Sequence, residues 1–396
     1  MIRAHRERFD REFSSARYMA FVEEISRRSG GRIAFRLSET PGFMPASLVD
    51  RLVTVSHELI GQLLDNPVYL DAAAAEVPAP FRLQRGEDRP TFLQVDFGFV
   101  RDGDRLEGRL VELQAFPSLY GFQRLLGEMA RSFSGFQALT PYLGGLDADD
   151  YTAIVGAAIL GGHDPREVVL LEIEPDKQKT RPDFVITEDV WGVRAIDLGA
   201  LQRQRRKLFY DRDGVRTPIA RIYNRVIPDE LMRAGRAWPF GPDDDLDVEW
   251  CGGPDWYFRV SKLSLPFLRH PWVPRTSFLS DIETLAGNRE DWLLKPLYSF
   301  AGTGIVFAPS DEQLAAIPPA DRRHYVVQER IPFTPVIDTP RGPTQIEVRL
   351  MMVRDGDTYR PVLPLGRMGR GRMMGVDHNR GLEWVGAAAV LIDPAA

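Results

Sequence analysis

Along the first third of the chain, apolar residues recur at three- and four-residue steps. "SLVDRLVTVSHELIGQLL" (47–64) shows the spacing best and predicts an amphipathic helix. A proline-rich joint, "VPAPFRLQRGEDRP", closes this mainly helical region near residue 90. The period then changes to two. "LQVDFGF" and "RLVELQAF" read as strands, and "RDGDRLEG" between them carries the Asp-Gly signal of a turn, which predicts a hairpin. Because strand side chains alternate faces, Glu112 and Gln114 point the same way, and hairpin pairing brings Asp96 near them. Two oxygen-bearing side chains at a strand end can hold a hard cation.

Helices are expected from Leu119 and over Asp150 to Leu160. "EVVLLEIE" reads as a buried strand, and "GVRTPIARIYNRVIP" as strand ending in an Asn224-Arg225 pair at the surface. The last 140 or so residues hold the clearest candidate chemistry. "DWLLKPLYSFAGTGIVF" is an apolar strand delivering Lys295, a turn with Gly302, Thr303 and Gly304, and a second strand. Such a loop can cover a polyphosphate, with backbone N–H groups facing the oxygens and the ammonium neutralising charge. Taken alone, a glycine-rich hairpin with an incidental lysine explains it better. Other pieces come in order: Lys262 upstream, the strand of "HYVVQERIPF" ending in Gln328 and Glu329, Glu347 in "TQIEVRLMMVRDG", and Arg367, Arg370 and Arg372 in "LPLGRMGRGRMMG".

Composition narrows the setting. A length of 396 residues favours two or three cooperating domains over one core. The divisions expected are 1–90, mainly helical; 91–145, the strand hairpin and a helix; 146–255, an α/β part; and 256–396, the strands and glycine-rich turn around Lys295 with the arginines that follow. A net charge of −6 argues against a nucleic-acid partner. Cys251 is the only cysteine, which excludes an intramolecular disulfide and a cysteine-rich zinc site. The first residues lack the apolar core of a signal peptide, and no segment approaches ~18 unbroken apolar residues, so a cytoplasmic protein without membrane attachment is expected. The histidines are scattered without metal-ligand spacing, no Gly-x-Ser-x-Gly elbow is present, and the acidic run at Asp243 reads as a solvated loop.

The ordered set resembles the circularly permuted branch of the ATP-grasp superfamily, as in glutathione synthetase of the eukaryotic type and the glutathionylspermidine synthetase domain. The likeness is discontinuous over roughly residues 90–395. In that branch an acidic strand and a Glu-x-Asn strand supply the magnesium site early in the chain, as Asp96, Glu112 and Gln114 would here. The resemblance implies an α/β ATP-grasp-like fold with a helical N-terminal region, a substrate-facing middle at 146–255, and the ATP-binding lid and core at 256–396, joined by the hairpin of 91–145. It implies ATP and Mg²⁺ as cofactors. Lys262, Lys295 and the Gly302-Thr303-Gly304 loop would lie on the phosphates. Gln328, Glu329, Ile331 and Glu347 would lie around the nucleotide. Arg367, Arg370 or Arg372 would act on transferred charge, and Arg225 with Ser118, Gln178 and Thr180 would hold substrate.

The implied reaction joins a small carboxylate to an amine of the amino acid, peptide or polyamine class through an acyl phosphate. The alternatives are a phosphotransferase and a nucleotide binder without catalysis. Three departures stand out: Gln94 where arginine is usual, Gln114 in place of asparagine, and no acidic residue in "KPLYSFAGTG". They point away from glutathione as the product, towards a different acceptor or a weaker metal site.

Overall fold

The computed structural model describes residues 1–103, 105–298, 304–379 and 381–396, with the backbone alone at 376 and 377. Gly302 and Thr303 therefore lie outside the described residues. The fold is mixed α/β. The period-3.6 segment forms the helix Ala46–Leu64, whose buried stripe runs from Leu48 and Leu52 through Leu59 to Leu63. It packs on a large sheet with strands in the order Gly42–Pro45, Gly386–Asp393, Thr358–Gly369, Gly342–Asp355, Phe92–Asp102 and Arg105–Gln114, with Ile337–Thr339 also pairing to Gly342–Asp355. The first two strands are parallel and the remaining pairs antiparallel. One sheet thus takes strands from both ends of the chain.

The middle of the chain forms a parallel sheet in the order Glu249–Cys251, Arg221–Asn224, Val168–Glu172, Arg194–Asp197. Its strand Val168–Glu172 is a continuous buried run, VVLLE, as expected for a strand covered on both faces. "GVRTPIARIYN" is two strands rather than one. Val215–Ile219 belongs to a separate three-stranded meander, and Arg221–Asn224 joins the parallel sheet. The latter strand is central, so its C-terminal end is covered: Asn224 and Arg225 are buried, not at the surface as their polarity suggests.

A small antiparallel sheet, in the order Thr276–Phe278, Tyr325–Glu329, Trp292–Pro296, Val306–Phe307, carries Lys295. Its exit is seated on the large sheet. The Phe333 ring lies where a Cβ on Gly98 would sit, and the Thr334 amide donates to the Phe99 carbonyl at 2.8 Å. Any side chain at 98 would push this joint away. The acidic run expected as a solvated loop is ion-paired, Asp244 to Arg203 and Asp247 to Arg206, both at 2.6 Å. Cys251 is fully buried and its thiol is pushed up to about 12 by that burial, which leaves it inert. Among the described residues no helix is long and apolar enough to cross a membrane.

Candidate active site

The strand Gly342–Asp355 shows how the site is made. Ile346, Val348, Leu350 and Met352 enter the core under the Ala46–Leu64 helix. On the opposite face, Met351 and Val353 join a second core with Phe92 and Tyr120, but Glu347 and Arg349 extend past its edge. The face changes from apolar to charged within one strand. Opposite these residues the hairpin Phe92–Asp102 to Arg105–Gln114 forms as expected, turning at Gly103 with φ +56°. Asp96 pairs with Glu112 and Gln94 with Gln114. A bulge follows, because Phe97 pairs with Leu110 and leaves Val111 extra. That one residue lets Leu110 pack in the core while Glu112, two positions on, keeps the face of Asp96. The Gln114 amide donates to the Glu112 carboxylate.

Asp96 is fully buried and gripped by two arginines. Arg349 forks onto it at 2.6 and 2.7 Å, and Arg367 reaches both Asp96 and Glu347. Burial alone would raise the Asp96 carboxyl, yet Arg349 and Arg367 hold it below the usual range. Burial pushes Glu347 up to about 7, Arg367 opposing and Asp96 and Glu112 adding to the rise. A third Arg349 donor meets Gln94 at 2.7 Å. A guanidinium therefore reaches the place beside Asp96 although residue 94 is glutamine; it comes from the neighbouring strand. Arg349 was missed in the sequence, where a charged Glu-x-Arg pair inside an apolar run is itself a signal.

Glu112 and Gln114 line an open cleft together with Phe116, Tyr257, Lys262 and Tyr298. The segment Pro254–Phe267 supplies Lys262, which is buried. Lys295, buried on the small sheet, donates to Gln328 Oε1 at 2.5 Å. Burial draws its ammonium down to about 8; Glu112 and Glu347 oppose the fall and Lys262 adds to it. Lys262, Lys295, Glu112 and Glu347 thus share one electrostatic neighbourhood, and with Arg349, Arg367 and Asp96 it holds one cation more than carboxylates. Such an excess suits a polyphosphate.

The other expected residues scatter. Glu329 is paired with Arg275 at 3.3 Å, and the amides of Glu329 and Arg330 already donate to Arg275 and Asp291 carbonyls. Ile331 follows in the joint leading to Phe333, and Gly304 stands at φ +76° just before the strand Val306–Phe307. Arg370 is tied to Thr344 and the Glu383 carbonyl, while Arg372 is exposed and stacks on Phe307 of the small sheet at 5.9 Å. Of the three arginines only Arg367 meets the carboxylates of the cleft wall.

A second cluster lies past Phe116. Arg225 donates to the Pro117 carbonyl, faces the rings of Phe116 and Phe184 at 5.1 and 5.5 Å, and keeps a buried Nε without a partner among the described residues. The adjoining Ser118 turn is set by Asp183, which accepts from the amides of Leu119, Gly121 and Phe122 at the start of the helix Tyr120–Ser134. Leu119 takes φ +67° there. Glu172, not singled out in the sequence, is buried near Arg225, and its burial pushes it up to about 8. Gln178 donates to the Ile173 carbonyl at 2.9 Å and lies beside Glu230. Thr180 stands at the N-cap position of the helix Arg181–Trp191 without a side-chain cap bond, its carbonyl accepting from the Asp183 amide at 2.9 Å.

Compared with solved structures, the chain is similar to a glutathione synthetase-like effector (GSS30) from Globodera pallida in its apo form. The TM-score is 0.55 and the identity 11%, over 89% of this chain and 94% of that one. No protein-family model and no curated protein matches the chain. At this identity the likeness is one of fold, and the fold is glutathione synthetase-like.

Proposed function

We propose that the chain is an ATP-dependent carboxylate–amine ligase of the circularly permuted ATP-grasp type. A carboxylate attacks the γ-phosphorus of ATP, ADP leaves, and an amine displaces phosphate from the acyl phosphate to form an amide. The observation that carries this reading is the meeting of Glu112 and Gln114 with Lys262 in one cleft, with Lys295 in their electrostatic reach. The glutathione synthetase-like fold supports it.

The donor set suits Mg²⁺, which takes one or two carboxylates plus phosphate oxygens. Glu112 and the Gln114 carbonyl would hold it, with Glu347 next to them; Asp96, with both oxygens on arginines, would anchor the wall behind. Bound there, the metal would neutralise phosphate charge as the phosphoryl group moves. Lys262 and Lys295 hold the phosphates, Arg367 keeps Glu347 and Asp96 in place, and Arg225 binds an anionic substrate group with a planar fork.

ADP release, screened with amino acids and polyamines singly and in pairs, tests the reading. A ligase releases ADP when acid and amine are both supplied. Release with an acid alone would mean a phosphotransferase. The binder without catalysis has one observation in its favour, the occupation of both Asp96 oxygens by arginine, and it would take up ATP with no ADP in any pairing.

A further inference from the structure

Gln328 is 1% exposed and sits on the small sheet two positions along from the residue opposite Lys295: Lys295 pairs with Val326, and Leu293 with Gln328. The two side chains therefore share a face, and Lys295 Nζ donates to Gln328 Oε1. That contact fixes the amide. An ammonium has only donors, so the oxygen must face Lys295 and the NH₂ must face away, since the flipped amide would set donor against donor. Nε2 is buried and has no acceptor among the described residues. A buried donor left unmet is costly, and an incoming acceptor removes that cost. The acceptor must also tolerate Lys295 and Lys262, which selects an anion.

We propose that Gln328 reads the phosphate chain of the nucleotide and not its base, donating through Nε2 to a phosphate oxygen while Oε1 aims Lys295. The assignment rests on the nucleotide reading above and deepens it. It departs from the sequence expectation, in which the end of this strand met adenine: here the Glu329 carboxylate is held by Arg275, and the amides of Glu329 and Arg330 donate to the Arg275 and Asp291 carbonyls.

The test compares ATP, GTP and inorganic tripolyphosphate, measured by calorimetry on the full chain. Gln328→Met removes both contacts. Gln328→Glu keeps an oxygen for Lys295 and loses the N–H. Both variants should lose about tenfold or more in affinity for all three probes alike. A direct readout accompanies them: in protein labelled with ¹⁵N at glutamine, the side-chain amide signal absent from Gln328→Met should shift downfield when tripolyphosphate binds. Unchanged affinities in both variants, a loss confined to ATP, or an amide signal unmoved by tripolyphosphate would each overturn the assignment. Wild-type protein that binds none of the three probes would overturn the nucleotide reading, and Gln328 with it.

Discussion

The large and small sheets treat charge differently on the two sides of the site. On the large sheet, Asp96, Glu347, Arg349 and Arg367 satisfy one another, each carboxylate meeting a guanidinium in fixed geometry. On the facing side, Lys295 has a neutral partner, and Gln328 keeps a donor unmet among the described residues. Matched charges hold a wall in shape; unmatched ones await a ligand. A buried ion pair adds little net stability over an apolar pair, but removing one member leaves a charge in a dry site. A buried lysine on a neutral amide bears its cost in the free protein and recovers it when an anion binds.

The largest expected effect breaks the matched wall. Arg349→Leu should cost about 3–5 kcal/mol in urea unfolding, because Asp96 stays buried with half its neutralisation gone. Lys295→Met should cost little or even stabilise. Equal losses in the two variants would erase the distinction drawn between the two sheets.

Binding should show the reverse order. Mg²⁺·ATP should raise the melting temperature of the wild type, and Lys295→Ala should remove most of that shift through an affinity loss of roughly a hundredfold. An unaltered shift in Lys295→Ala would take the phosphate role away from this lysine.

Acid–base behaviour sharpens the contrast. Lys295 lies at about 8 in the folded chain against 10.5 when free, with Glu112, Glu347 and Lys262 as its charged neighbours. Below pH 8 both states carry the proton and the burial cost is fully present. Between pH 8 and 10.5 the unfolded chain binds a proton that the folded chain has released, so this residue's contribution makes stability climb as pH rises. The difference between wild type and Lys295→Met in urea midpoints across that window isolates it. A phosphate chain restores the charge, so nucleotide binding at pH 8 to 9 should take up a proton, seen as a dependence of the binding enthalpy on buffer ionisation. No uptake there would mean that the phosphates do not meet Lys295.

The smallest effects concern the metal pair. Once a substrate pair is known, Glu112→Ala should lower turnover about tenfold more than it lowers ATP affinity, with partial recovery in excess Mg²⁺, since the carboxylate's effect grows as charge moves. Gln114→Asn should change turnover within about twofold. Normal turnover and magnesium dependence in Glu112→Ala would move the metal elsewhere.

Local rules in the sequence determined the Ala46–Leu64 helix, the hairpin and its Asp96–Glu112 pairing, and the strands bearing Lys295, Gln328 and Glu347, because period, turn residues and alternation act over a few neighbours. They also put Glu112 and Gln114 on one face. Tertiary structure decided what those groups meet. Arg349 stands 253 positions from Asp96 along the chain and becomes its partner only when both ends of the chain enter one sheet. The same pairing absorbs Arg367 into the wall, while Arg370 is drawn to a loop carbonyl and Arg372 to Phe307. Arg225 looked like a surface residue, and the central place of its strand buries it. A charged side chain's identity is written in the sequence, but its protonation and its partners depend on burial and on charges brought from far along the chain, and those exist only once the sheets have assembled.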